Sequence, residues 1–176
     1  RSTLFPYTTL FRSFALYGHF EGDTIVGKNR QSAIVTLVEK KSKYIVLLKA
    51  SRKSQDVKDA TLNWLKEQTN ATIKTITFDR GKEFSKWKEI EQESQTSIEI
   101  FFSDPGAPGQ RGLNENSNSI VRQDLPKSTD LSVHSQKKLN EIAMKYNRVP
   151  RRSLKYYTPE EIMKKATGLD SLIPIA

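Results

Sequence analysis

Apolar residues along this chain change period several times, and each change marks an element. HFEGDTIV (19–26) reads as a strand, GKNR as a turn, and QSAIVTLV (31–38) as a second, β-rich run. EKKS turns the chain again and KYIVLLKA (43–50) follows. Three strands with short connections predict an antiparallel meander. The second and third are almost continuously apolar at their centres, which predicts that both of their faces are covered.

The period then becomes helical. Val57, Ala60, Thr61, Trp64 and Leu65 fall on one helix face, with Ser54 as the expected N-cap. TIKTITF (72–78) reads as a fourth strand ending at Asp79. A weaker helical signal carries Phe84, Trp87 and Ile90, and SIEIFF (97–102) reads as a fifth strand. Three strands followed by helix, strand, helix and strand is the element order of a ribonuclease H-like α/β fold, a five-stranded mixed sheet flanked by helices.

After the loop SDPGAPGQRG, a helix is expected from about Leu113, with Ile120, Val121 and Leu125 apolar and Pro126 ending it. Another carries Leu139, Ile142, Ala143 and Tyr146. Thr158, Pro159 and Glu161 spell an N-cap, an N1 proline and a capping-box glutamate for a last helix that stops near Gly168. One domain over 14–168 is expected. Residues 1–13, RSTLFPYTTLFRS, have no clear period and read as a foreign leader; residues 169–176 read as a tail.

Composition narrows the chemistry. The 176 residues include no cysteine and two histidines, His19 and His134. Disulfides and cysteine-held zinc are excluded, and a histidine-rich metal site is disfavoured. Any metal would be held by carboxylates, which suits a hard cation such as Mg²⁺ or Mn²⁺. The 29 Lys and Arg against 20 Asp and Glu leave a net charge of +9, a balance that suits a polyanionic partner, most often nucleic acid. No apolar run is long enough for a membrane span.

Against that basic background the acids at strand ends are conspicuous. Ligands of open α/β sheets gather beyond the carboxyl ends of strands where the strand order reverses. If the order is 3-2-1-4-5, the first and fourth strands are neighbours and Asp23 can face Asp79. Two carboxylates so close are favourable only with a cation between them or with one protonated. Glu115, in the first turn of the helix after the Pro/Gly loop, shares a polar stripe with Asn118, Ser119 and Arg122 and can supply a third acid. Each has a plainer reading on its own: Asp23 and Asp79 as turn residues, Glu115 as a complement to the helix dipole. Their combination on the expected elements points to a metal site.

GHFEGDTIVGKNRQSAIVTLVEKKSKY, TITFDRGKEF, FFSDPGAPGQRGLNENSNSIVRQDLPKSTDLS and YNRVPRRSLKYYTPEEIM, in this order, closely resemble the catalytic core of bacterial insertion-sequence transposases of the thirty family, over about residues 18–163. The resemblance implies an integrase-like, ribonuclease H-like core with an Asp, Asp, Glu set, which falls on Asp23, Asp79 and Glu115. The chain departs from the family in Phe20, where tryptophan is usual, in Gly109, where tryptophan is frequent, and in a slightly long stretch between the second and third acids. The family's N-terminal helix-turn-helix region has no counterpart here, so a truncated copy is expected.

The same resemblance implies phosphoryl transfer on DNA with two Mg²⁺ ions, Mn²⁺ substituting. Water would cut at an element end, and the freed 3′-hydroxyl would then join target DNA. It also implies a homo-oligomer when active and a cytoplasmic, nucleoid-associated place. DNA contact is expected from Lys137, Lys138, Lys145, Arg148, Arg151, Arg152 and Lys155, with Tyr156 and Tyr157 beside them, and from Arg111 and Arg122 nearer the acids; such contacts weaken steeply with salt. A solvated basic face explains the C-terminal cluster equally well. His19 reads better as a locally bonded strand residue than as a ligand, His134 reads as surface, and Lys82 and Glu83 match the family without a derivable role. Two alternatives stay open: a nuclease on the same fold that only hydrolyses, and a transposase remnant that only binds DNA.

Overall fold

A computed structural model describes residues 17–30, 32–68, 73–104 and 112–167. The leader at 1–13 and the tail at 169–176 lie outside the described residues. Strands β1 (His19–Val26), β2 (Ser32–Glu39) and β3 (Ile45–Ser51) form the expected meander. Helix α1 (Ser54–Glu67), β4 (Thr75–Phe78), α2 (Trp87–Glu93) and β5 (Glu99–Phe102) follow, then α3 (Gly112–Val121), α4 (Gln136–Asn147) and α5 (Pro159–Thr167). The sheet order is β3-β2-β1-β4-β5. β1 pairs antiparallel with β2 and parallel with β4, and β4 pairs parallel with β5. This is the ribonuclease H-like arrangement, with β1 and β4 side by side.

Every residue of β2 is buried, because both sheet faces carry helices. Phe20, Val35, Leu37 and Leu48 pack on one face against Val57, Trp64 and Leu65 of α1 and Ile90 of α2. Ile25, Ile34, Val38 and Leu47 pack on the other against Val121 of α3 and Leu139, Ile142 and Tyr146 of α4. Alternation along β1 therefore assigns Phe20 and Gly22 to the α1 side, and Glu21, Asp23 and Ile25 to the α3 side.

Gly22 is there because Phe78 crosses it. A Cβ at Gly22 would lie 2.2 Å from Phe78 Cε1 and 2.5 Å from Cδ1, and that ring is fully buried, so it has nowhere to retreat. Gly22→Ala is expected to cost about 1–3 kcal/mol, the usual range for overpacking a core. A denaturant midpoint matching the parent's would show that Phe78 has room after all.

The capping signals hold at α5 and fail at α1. Thr158 and Glu161 form the predicted reciprocal box, with Glu161 N–H donating to Thr158 Oγ1 at 3.1 Å and Thr158 N–H to Glu161 Oε2 at 2.7 Å. Ser54 is not the N-cap of α1: the helix begins at Ser54 and Lys53 occupies the cap without a side-chain bond. The helix expected to run to Pro126 stops at Val121, since a turn then folds Leu125 into the core at 0% exposure. Among the described residues, no helix is long and apolar enough to cross a membrane.

Candidate active site

β1 and β4 bring the two aspartates together by register. His19 pairs with Thr75, Phe20 with Ile76 and Glu21 with Thr77; carried two residues on, the same register sets Asp23 opposite Asp79. Asp23 falls on the α3 side of the sheet, where Thr77 and Glu21 also project, and Asp79 directly follows the last residue of β4. Asp23 Oδ2 accepts a hydrogen bond from Asn118 Nδ2 at 3.0 Å and Oδ1 from the Thr24 N–H at 2.8 Å.

Helix α3 lies along β1 and runs in the same direction. Asn114 N–H donates to Glu21 Oε2 at 3.1 Å, Asn118 to Asp23, and Arg122 Nη2 to the Val26 carbonyl at 2.9 Å. Glu115 shares the stripe of Asn118 and Arg122, three and seven residues on. Leu113 and Ile120, on the opposite flank, pack toward the apolar cluster shared with α4. Glu115 therefore stands on the flank of α3 that leads from β1 toward β4, and it is exposed. The polar stripe expected for it is present, and the apolar residues of the helix do point elsewhere.

The donor set is all oxygen, which suits a hard divalent cation. The two strand carboxylates fit such an ion by register. Glu115 does not close the set as it stands: among the described residues, no group of three acidic, histidine or cysteine side chains could hold a metal.

The loop after β4 is tied to both strands. Gly81 N–H donates to Asp79 Oδ1 at 2.8 Å, closing a turn over the carboxylate. A Cβ at Gly81 would lie 2.8 Å from that same oxygen and 2.7 Å from Glu83 Oε2, so only glycine fits without displacing Asp79. Glu83 has a role here that its position in the motif did not reveal: Thr24 Oγ1 donates to Glu83 Oε1 at 3.0 Å, linking the loop to β1 one residue past Asp23. Phe84 anchors the loop's far end by stacking on Phe78, with centroids 4.2 Å apart and planes 19° from parallel.

Comparison with characterised sequences places the chain. Transposase InsI of insertion element IS30C from Escherichia coli is 37% identical over 153 residues, covering 86% of this chain and 39% of the relative. The transposases of IS1086 from Cupriavidus metallidurans and of IS4351 from Bacteroides fragilis are 37% and 36% identical, covering 83% and 89% of this chain and 43% and 47% of those proteins. The chain belongs to the IS30-type transposase family. It spans less than half the length of these three relatives. No protein-family model matches it.

The basic residues expected to give this IS30-type chain its DNA contacts lie on several elements, and some of them are paired. Arg111 lies outside the described residues. Arg122 spends its guanidinium on the Val26 and Leu125 carbonyls, holding the end of α3. Lys137 and Lys138 sit exposed in the first turn of α4, with Lys138 paired to Glu141. Lys145 pairs with Asp124, which Lys145 and then Tyr146 hold below the usual carboxylate range, and Arg148 pairs with Glu160.

The segment from Arg148 to Lys155 leaves α4 near the start of β3. Asn147, just before it, bonds both backbone groups of Ile45 at 2.8 Å, and Ile45 begins β3 at the level of Val38 in β2 and Glu21 in β1. Arg151 is close enough to Lys43, in the β2–β3 turn, to lower that amine's pKa, a smaller effect there than burial. Arg152, Lys155, Tyr156 and Tyr157 are exposed beyond it. His19 is a locally bonded strand histidine, its Nδ1 2.9 Å from Thr75 Oγ1. Burial first, then Lys74 and Lys40, push its pKa down.

Proposed function

We propose that this chain is the catalytic core of an insertion-sequence transposase, which cuts DNA strands and joins them to a target through Asp23, Asp79 and Glu115. The observation that supports this reading is the parallel β1–β4 register, which carried two residues past Glu21 and Thr77 would set Asp23 opposite Asp79, with α3 running along β1 beside them. Kinship to proteins named transposases supports it. Asp23, Asp79 and Glu115 would hold Mg²⁺, two ions in the full reading, and bound Mg²⁺ would supply Lewis-acid stabilisation to the scissile phosphate and lower the pKa of water.

The chain's own residues do the rest. The strand carboxylates concentrate negative charge at one point of a basic protein, so they favour a cation there and disfavour bare phosphate. Gly81 and Asn118 each donate to one aspartate, and this fixes the carboxylate planes before substrate arrives. The Thr24–Glu83 bond keeps the Asp79 loop against β1. No side-chain nucleophile is needed, because water and then a DNA 3′-hydroxyl attack. Joining two element ends calls for more than one copy, so homo-oligomeric action belongs to the same proposal.

The test is nicking and joining of plasmid DNA carrying element ends. Nicked and joined products that need Mg²⁺ or Mn²⁺ and vanish with chelator are the expected result. Nicking without joined product would favour a hydrolytic nuclease. DNA binding without either product would favour a remnant that only binds.

A further inference from the structure

Glu21 precedes Asp23 by two residues and lies on the same face of β1, yet only 6% of it is exposed. A carboxylate buried this far needs partners. One is the N–H of Asn114 at 3.1 Å, in the first turn of α3, where backbone donors lack intrahelical acceptors and the helix dipole favours a negative charge. The residue after Asn114 is Glu115.

The geometry of the pairing is specific. Two residues along a strand advance about 6.6 Å and four along a helix about 6.0 Å, so Glu21 and Asp23 match Asn114 and Asn118 rung for rung. The two ends of α3 are held differently. Val121, fully buried in the second core, and the half-buried Ile120 pin its C-terminal half. The N-terminal half rests on polar groups: Asn114 and Ser117 are 0% and 1% exposed, and Asn114 Nδ2 and Ser117 Oγ have no hydrogen-bond partner. Leu113 adds only a half-buried contact there. The Glu21 carboxylate is thus the charged tether of the turn that carries Glu115, beside a longer bond from Thr36 Oγ1 to Asn114 Oδ1 at 3.5 Å, and Lys40 and Lys43 lie close enough to feel its charge.

We propose that Glu21 is a positioning residue: its buried carboxylate fixes the first turn of α3 on β1 and so sets where Glu115 stands relative to Asp23 and Asp79. The proposal rests on the reading of Glu115 as the third acid. It predicts that loosening the tether releases Glu115 without unfolding the sheet.

The experiment compares the parent, Glu21→Ala, Glu21→Gln and Glu115→Gln in the full chain. Hydrogen exchange across residues 112–118 should speed up about tenfold or more in Glu21→Ala, with β1–β3 protected as in the parent. Turnover in the nicking assay should fall about tenfold or more with KM for DNA unchanged. Glu21→Gln, whose amide oxygen can still accept from Asn114, should recover most of both. Unchanged exchange in α3, or exchange accelerated through the whole sheet, would overturn the proposal, as would full turnover in a Glu21→Ala protein whose α3 has loosened. Full turnover in Glu115→Gln would instead sink the catalytic reading, leaving the exchange result to decide the tether alone.

Discussion

Asp79→Asn is expected to abolish metal-dependent nicking and joining, by about a thousandfold or more, while the protein stays folded. The substitution is close to isosteric. Asparagine keeps a carbonyl oxygen that can accept the Gly81 N–H, now bonded to Asp79 Oδ1 at 2.8 Å, so the turn over the site survives. What is lost is the charge facing Asp23. A thousandfold corresponds to roughly 4 kcal/mol of transition-state stabilisation, within reach of one ligand to a cation at the reacting phosphate.

The charge argument adds a second readout. Opposed carboxylates repel without a cation, so metal-free Asp79→Asn should melt at or slightly above the parent's temperature. Adding Mg²⁺ should raise the parent's melting temperature by mass action on the folded state and leave the variant's nearly unchanged. Full activity in a folded Asp79→Asn protein would remove Asp79 from the site. Loss of activity with equal Mg²⁺ stabilisation of both proteins would place the cation elsewhere.

Strand order was legible in the sequence because it follows from period and connection length. Short turns predict a meander, and a helix between β3 and β4 predicts the crossover that brings β4 beside β1. The contact of Glu21 with α3 was hidden because one i, i+2 alternation puts Glu21 and Asp23 on the same face, and only the third dimension shows that each meets a different turn of α3. A trace was present nonetheless: Asn114 and Asn118 are four apart on one helix face. Ser54 fails as a cap because α1 already includes it, with Lys53 at the cap position. The stop of α3 at Val121 is decided by Leu125 entering the core, which local pattern does not encode. The basic C-terminal segment reads equally as a DNA contact or a solvated face in sequence, and the bond of Asn147 to Ile45, at the start of β3, is a tertiary contact that the pattern does not encode.

Phe84→Ala should have the largest effect on stability, and it should reach the site through the core. Phe84 is 2% exposed and its ring lies stacked on Phe78. Removing a buried phenyl ring typically costs about 3–5 kcal/mol, transfer and cavity terms together, which is a large share of an ordinary domain's stability. At about 2–4 °C per kcal/mol for a chain of this size, the melting temperature should drop by roughly 6–20 °C. Phe78 is wedged between Gly22 and Phe84 and directly precedes Asp79. Loss of the stack therefore frees the ring that sets the end of β4, and with it the turn that Gly81 closes. Turnover should fall well below the new melting temperature, where the protein is still folded. Phe84→Leu, which refills most of the space, should recover most of the stability. A melting temperature within about 2 °C of the parent's in Phe84→Ala would mean that the ring bears little of the core. Unchanged turnover in a destabilised Phe84→Ala protein would mean that the Thr24–Glu83 bond alone holds the Asp79 loop in place.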